Sequence, residues 1–517
     1  MHIYASPFGK IDLRDITVTQ RLFEGLGDRS RDTMIEGSSG RRWTAGEIAD
    51  GIKSVAGGLA ARGIGPGHCV AIMLPNLPEF VLAFHGAAWA GATITTVNPT
   101  YTAHELNHQL KDSGADMLIT IDAFAETAKD GAAGTAVTEI VTLDGTPGTT
   151  PFADLKGAPL AEQVPVDVVN DTLVMPYSSG TTGLPKGVML THRNLVANVD
   201  QIMASRPVAP GEWTVGFLPF FHIYGMTVLA NLYLGAGGGV VTMPRFDLEL
   251  FLRLIQDHRT RQAFCVPPVV LALAKHPMVD KFDLSGLKYV FSGAAPLGAP
   301  LSNAVSERLG ILCEQGYGMT EMSPVSHISA AGKGRPGAAG QTAPGTESRI
   351  VGIGSGQDLG PGQEGELWVR GPQVMKGYLN NPKATAETLT EDGWLMTGDI
   401  ASFDADGYLF IRDRLKELIK VKGFQVAPAE VEAELLGCPG IVDAAVVGQP
   451  DDDAGEVPVA FLVRGPGAAT TEGDVANYLE DRLAHYKQVR HIYFVNAIPK
   501  SASGKILRRV LKAQISV

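Results

Sequence analysis

A chain of 517 residues exceeds one ordinary hydrophobic core, so two or more domains are expected, and 45% apolar with 19% charged residues excludes a disordered chain. The formal charge of −12 excludes bulk attraction to nucleic acid or anionic lipid, so any polyphosphate ligand needs a local site. The most apolar stretch, 215–241, is broken by Pro219, His222 and several glycines, and the N-terminus has no basic patch followed by an apolar run. Neither membrane insertion nor a signal peptide is therefore expected, and the expected compartment is the cytoplasm.

In chain order, 70–74 reads as a buried strand and 78–90 as a helix with proline in its first turn. Residues 92–97, 117–121, 139–143 and 172–175 read as further strands, each separated by helical or turn-rich sequence. A helix is expected from Asp247, a natural N-cap, because Leu248, Phe251, Leu252 and Ile255 share one face. This alternation predicts an α/β fold: a large multi-layer N-terminal domain with parallel-rich sheets covered by helices. After Val325 the texture changes, with a Gly- and Ala-rich stretch at 330–345 and strand-like pieces at 365–370 and 408–412. A small α+β C-terminal domain is expected from about 413–416, with helices at 428–436 and 474–484 and strands at 441–447 and 457–463. Cys69, Cys265, Cys313 and Cys438 are too dispersed for a zinc knuckle or redox dithiol and read as buried thiols.

The strongest local signal follows the strand at 172–175: Tyr177-Ser178-Ser179-Gly180-Thr181-Thr182-Gly183-Leu184-Pro185-Lys186-Gly187. Small residues let the backbone turn tightly so that N–H groups converge on phosphate oxygens, while the hydroxyls and one lysine add donors and charge. A Walker loop would need Gly-Lys-Ser/Thr, and here Lys186 lies between Pro185 and Gly187. Further motifs follow in order: Phe217-Leu218-Pro219-Phe220-Phe221-His222-Ile223-Tyr224-Gly225, Gln315-Gly316-Tyr317-Gly318-Met319-Thr320-Glu321 and Thr397-Gly398-Asp399. Then come Arg412-Asp413-Arg414-Leu415-Lys416-Glu417-Leu418-Ile419-Lys420-Val421-Lys422-Gly423-Phe424-Gln425 and Pro499-Lys500-Ser501-Ala502-Ser503-Gly504-Lys505.

This ordered set, spread through nearly the whole chain, resembles the adenylate-forming superfamily of acyl-CoA synthetases, nonribosomal adenylation domains and beetle luciferases. Within it the chain is most similar to the 4-coumarate:CoA ligases. The resemblance implies a two-step reaction. A carboxylate attacks the α-phosphorus of ATP with loss of pyrophosphate, and the acyl-adenylate then passes its acyl group to coenzyme A. ATP, Mg²⁺ and CoA are the implied co-substrates and ion, and a small carboxylic acid the implied partner.

For the nucleotide, the resemblance implies contacts from Ser178, Ser179, Gly180, Thr181, Thr182, Lys186, Gln315, Gly316, Tyr317, Thr320, Asp399, Arg414 and Lys416. Asp399 would accept the ribose hydroxyls, as a carboxylate with two acceptor oxygens can. Glu321 would be the Mg²⁺ ligand, a hard oxygen donor for an ion shared with substrate phosphates. Lys505 would neutralise the two anions that must meet in the first step. A turn at 413–416 would be the hinge on which 417–517 rotates against 1–412, exchanging Lys505 for Lys420 and Gln425 at the adenylate. Lys422, Gly423 and Arg245 would contact CoA. His222 falls in the segment resembling the family's acyl-pocket entrance, with Tyr224, Gly293, Gly318, Pro324 and Val325 lining the pocket.

That segment lacks the aspartate with which amino-acid-activating relatives bind an ammonium group, so an amine-free apolar acid is expected. An aryl-propenoate such as 4-coumarate, cinnamate or caffeate fits the resemblance best, and a medium-chain fatty acid is the rival. A ligase loading a carrier protein would share the first step without needing Lys422 and Gly423. A luciferase-like oxygenase would share still more. A non-catalytic binding protein is disfavoured because Lys505 and Glu321 are both present.

Overall fold

The computed structural model describes residues 2–178, 185–422, 424–451, 454–480, 482–502 and 504–515. Ser179, Gly180, Thr181, Thr182 and Gly423 of the expected site lie outside the described residues.

The N-terminal domain is built on layers of sheet and helix. Its largest sheet runs, in spatial order, Gly377–Tyr378, Lys186–Thr191, Thr172–Ser178, Thr93–Thr96, Cys69–Met73, Met117–Thr120, Glu139–Thr142 and Thr150–Pro151. From Thr172–Ser178 onward every pair in this sheet is parallel. All five residues of Cys69–Met73 are buried, as a strand covered on both faces requires. The helix Pro78–Trp89 covers this layer and is buried throughout. A second sheet orders Trp213–Gly216, Gly239–Thr242, Asp32–Glu36 and Arg42–Thr44. A third holds three parallel strands, Gln262–Cys265, Tyr289–Ser292 and Leu312–Gln315.

Beyond Val325 the pairing becomes antiparallel: Glu347–Val351, Gly365–Arg370, Leu395–Phe403 and Leu409–Arg414 form consecutive ladder neighbours. One continuous apolar core joins residues from Val18 to Leu409. The C-terminal unit has its own core around Val426, Val431, Val446 and Leu462, and a second small core where Leu511 packs on the other face of its sheet. That sheet orders Phe424–Val426, Ile419–Val421, Gly455–Arg464 and Ile441–Asp451, with His491–Phe494 added in parallel.

Two expected boundaries shift for visible reasons. The helix expected at 474–484 starts earlier, as Glu472–Glu480, because Thr471 caps it: the Asp474 N–H donates to Thr471 Oγ1 at 3.2 Å and Thr471 N–H donates to Asp474 Oδ2 at 2.9 Å. The strand expected to end at 412 runs on through Asp413 and Arg414, because Arg414 pairs with Asp399 across the ladder. Asp247 caps Leu248–Asp257 as its chemistry suggests, accepting the Leu250 N–H at 2.8 Å. After the aromatic segment the chain widens into a π-helix over Gly225–Asn231. All four cysteines are buried and free.

Candidate active site

The stem of the phosphate loop is an antiparallel hairpin in which Lys186 faces Ser178 and Gly187 faces Tyr177. The ammonium of Lys186 lies 4.6 Å from the centre of the Tyr378 ring, a cation–π contact that steadies a lysine at the loop's base. Ser178 donates to Glu321 Oε1 at 3.1 Å, and the Tyr378 hydroxyl donates to the same oxygen at 2.8 Å. Glu321 is buried, and among the described residues only its Oε1 is engaged. No group of three metal-ligating side chains exists among the described residues. One carboxylate of this kind suits an ion held jointly with phosphate oxygens rather than by a dedicated cage, so the donor set fits Mg²⁺.

Asp399 and Arg414 meet through strand register. They are paired across Leu395–Phe403 and Leu409–Arg414, and Arg414 Nε lies 3.1 Å from Asp399 Oδ1. The Tyr317 hydroxyl donates to Asp399 Oδ2 at 2.5 Å. Gly398 supplies the positive φ of +71° that turns the carboxylate inward, and its N–H donates to Glu366 at 3.0 Å. Burial raises the Asp399 pKa, opposed by the Arg414 charge and the Tyr317 hydrogen bond. Burial and the Asp399 charge raise Tyr317 as well, keeping it a neutral donor.

Lys505, half-buried in the C-terminal unit, feels the charges of this cluster. Burial lowers its pKa, helped by the Arg414 charge and opposed by Glu321, Asp399 and Glu417. Its loop is closed by Ser501 N–H to Lys505 O at 2.8 Å and Gly504 N–H to Ser501 O at 2.8 Å. Gly504, at φ +79°, rests on the N-terminal domain: a Cβ built there would lie 3.4 Å from the Val266 side chain. His222 lines one small cavity with Thr320 and Tyr177. Burial, reinforced by the nearby Lys505 charge, holds its imidazole down at about 3, so it is neutral, and Nδ1 accepts the Tyr224 N–H at 3.2 Å.

The residues expected to line an acyl pocket are packed tightly. A Cβ at Gly293 would stand 2.9 Å from the Tyr224 ring, and one at Gly318 only 2.1 Å from the Pro324 carbonyl oxygen. The Tyr224 hydroxyl donates to Phe291 O at 3.4 Å. Val325 is fixed at both backbone groups by Asn198, which donates to its carbonyl at 2.7 Å and accepts its N–H at 3.0 Å. Gln315, expected to touch nucleotide, instead spends its amide on Leu297, donating to its carbonyl and accepting its N–H, both at 3.0 Å. Gly316 is wedged against Phe291, where a Cβ would come within 2.6 Å.

The structure does not bring the remaining expected residues to this cluster. Lys416, Lys420, Lys422 and Gln425 are exposed, as is Arg245. Lys422 holds a positive φ of 48°, and Lys420 N–H donates to Glu456 at 2.8 Å. A surface cleft of about 770 Å³ lined by Arg259, Arg261, Lys288 and Tyr289 contains none of the residues above. Sequence reading missed Tyr378 and Glu366; a lone tyrosine on a two-residue edge strand and a lone glutamate inside an antiparallel ladder carry no spacing that points to the site.

This arrangement can pair a polyphosphate loop with a carboxylate for a metal ion, a ribose-type diol site and a lysine delivered by a second unit. The AMP-binding enzyme profile matches residues 26–379, and the AMP-binding enzyme C-terminal domain profile matches 430–505. The chain belongs to the AMP-binding enzyme family. It is 44% identical over 507 residues to 4-coumarate–CoA ligase 2 of Nicotiana tabacum, covering 96% of this chain and 93% of that one. The same identity holds over 504 residues with 4-coumarate–CoA ligase 1 of Petroselinum crispum, covering 95% and 92%. Among solved structures, ATP-bound MatB from Rhodopseudomonas palustris superposes with a TM-score of 0.90 at 30% identity, over 97% of this chain and 99% of that one. No helix among the described residues is long and apolar enough to cross a membrane.

Proposed function

We propose that this chain activates 4-coumarate or a related hydroxycinnamate as its adenylate and transfers the acyl group to CoA. It is an AMP-forming acid–thiol ligase using ATP and CoA, as membership of the AMP-binding enzyme family and likeness to the 4-coumarate–CoA ligases support. The observation that carries the reading is the buried Asp399, paired by strand register with Arg414 and hydrogen-bonded by Tyr317, in a chain that also holds Glu321 between Ser178 and Tyr378.

In the first step Lys505 and Arg414 offset the repulsion between an incoming carboxylate and the α-phosphate, in a buried site where charge acts strongly. Lys186 and the loop at 178–186 hold the departing pyrophosphate. Asp399 and Tyr317 seat the ribose and adenine, and Thr320 donates to the α-phosphate. Glu321, kept in place by Ser178 and Tyr378, would hold Mg²⁺, which supplies charge neutralisation at the phosphates when bound. His222, neutral at physiological pH, adds no competing cation at the acyl entrance. Tyr224 with Gly293, and Gly318 with Pro324 and Val325, would line the acyl pocket, where the two glycines are packed too closely to carry side chains.

For the second step, residues 1–412 stay fixed and 417–517 rotate on 413–416, withdrawing Lys505 and presenting Lys420 and Gln425. Lys422, Gly423 and Arg245 would then meet CoA. The cytoplasm is the proposed compartment.

The test is a purified-protein assay with ATP, Mg²⁺ and a panel of aryl and fatty acids, with and without CoA, following AMP, pyrophosphate and thioester. Hydroxycinnamoyl-CoA as the preferred product is expected. Preference for medium-chain fatty acids would overturn the substrate, and pyrophosphate release without thioester would overturn the acceptor.

A further inference from the structure

The hairpin that carries the phosphate loop is anchored by a residue from a helix outside every motif. Tyr177, next to last in Thr172–Ser178, donates its hydroxyl to Asp112 Oδ2 at 2.6 Å. Asp112 lies near the end of the helix Ala103–Ser113. The same residue accepts from Asn380 Nδ2, at 3.0 Å through its carbonyl and 3.3 Å through Oδ1. Asn380, held at φ +51°, follows Gly377–Tyr378, which pairs with Val188 and Met189 of the other hairpin arm. Leu379 N–H closes that arm by donating to Gly187 O at 2.8 Å. One residue therefore ties the Tyr177 arm directly, through its carboxylate, and the other arm through the strand that pairs with it and carries Tyr378, the partner of Glu321 and Lys186. Burial and the adjacent carboxylate push the Tyr177 hydroxyl upward in pKa, so it stays a donor.

We infer that Asp112 is a positioning residue for ATP, fixing the stem from which the phosphate loop is presented. The inference rests on the proposed reaction. A loop that grips phosphate through backbone N–H groups gains from a stem already rigid before binding. The thioester step involves no triphosphate and should not feel Asp112.

The test uses the full chain with Asp112→Ala, Tyr177→Phe and the double variant, measured by ATP–pyrophosphate exchange, by thioester formation from supplied acyl-AMP and by thermal unfolding. Each single variant is expected to raise KM for ATP about tenfold, with KM for the acid and the thioester step unchanged. The double variant is expected to be no worse than the worse single one, because both break the same link. Asp112→Asn, which keeps one acceptor oxygen, is expected to recover part of the loss. An unchanged KM for ATP in the presence of active wild-type exchange would overturn the inference. Equal losses in both half-reactions with a lowered Tm would assign Asp112 to stability alone and overturn it too. Absence of exchange in the wild-type protein would instead count against the proposed reaction.

Discussion

The loop carrying Lys505 and the turn carrying Lys420, Lys422 and Gln425 belong to one small unit, yet they meet opposite surroundings. Lys505 is half-buried and feels the charges of Arg414, Glu321 and Asp399, whereas Lys420, Lys422 and Gln425 stand in solvent. The difference teaches that two polar faces of one small unit can sit in unlike surroundings at the same time. Under the proposed reaction, the pose seen here is the one for adenylate formation.

The sharpest way to break this comparison is Lys505→Ala. It is expected to slow adenylate formation by about a thousandfold or more while leaving thioester formation from supplied acyl-AMP within a few fold. Equal loss in both half-reactions would merge the two faces into one. Lys420→Ala is the mirror experiment, expected to cost about a hundredfold in the thioester step and little in pyrophosphate exchange; single-turnover assays of each step would separate them.

The C-terminal unit also holds a part-buried ion network. Arg508 pairs with Glu417 at 2.9 Å and with Glu432, and donates to Val446 O at 2.7 Å. Arg508→Met leaves two carboxylates uncompensated and is expected to destabilise the C-terminal unit by about 3–5 kcal/mol. Urea unfolding followed by a probe in that unit would measure it, and an effect below about 1 kcal/mol would remove the network as a major support of that unit.

The smallest effect concerns protons. His222 is held at about 3, against 6.5 for an ordinary histidine. A group with a depressed folded pKa contributes stability that is complete above 6.5 and lost as pH falls toward 3, because the unfolded chain takes up the proton first. His222→Gln is expected to flatten the acid limb between pH 6.5 and 5 by up to about 1.4 kcal/mol per pH unit, seen as a smaller drop in the urea midpoint. An unchanged limb would place His222 in contact with water.

The parts of this site written in local sequence were legible. The strand-to-loop transition before Ser178, the Asp247 cap and the alternation that builds parallel sheets all depend on neighbouring residues. Asp399 and Arg414 were readable as separate motifs, but their contact arises from antiparallel register. The same register extends the second strand two residues beyond its apolar run. Tyr378 and Asp112 were not legible, since each acts through a partner many positions away and neither residue type is unusual where it stands. Gln315 shows the converse: it lies within a recognisable motif, while its amide is committed to the Leu297 backbone.

The nearest neighbours of Gly504 across the two units are side-chain carbons of Val266 and Pro268. Raising ionic strength should therefore leave the docked pose in place, while screening the attraction of Lys420 and Lys422 for a phosphate-bearing thiol. In this molecule salt should act on the second acceptor and spare the first encounter between the two units.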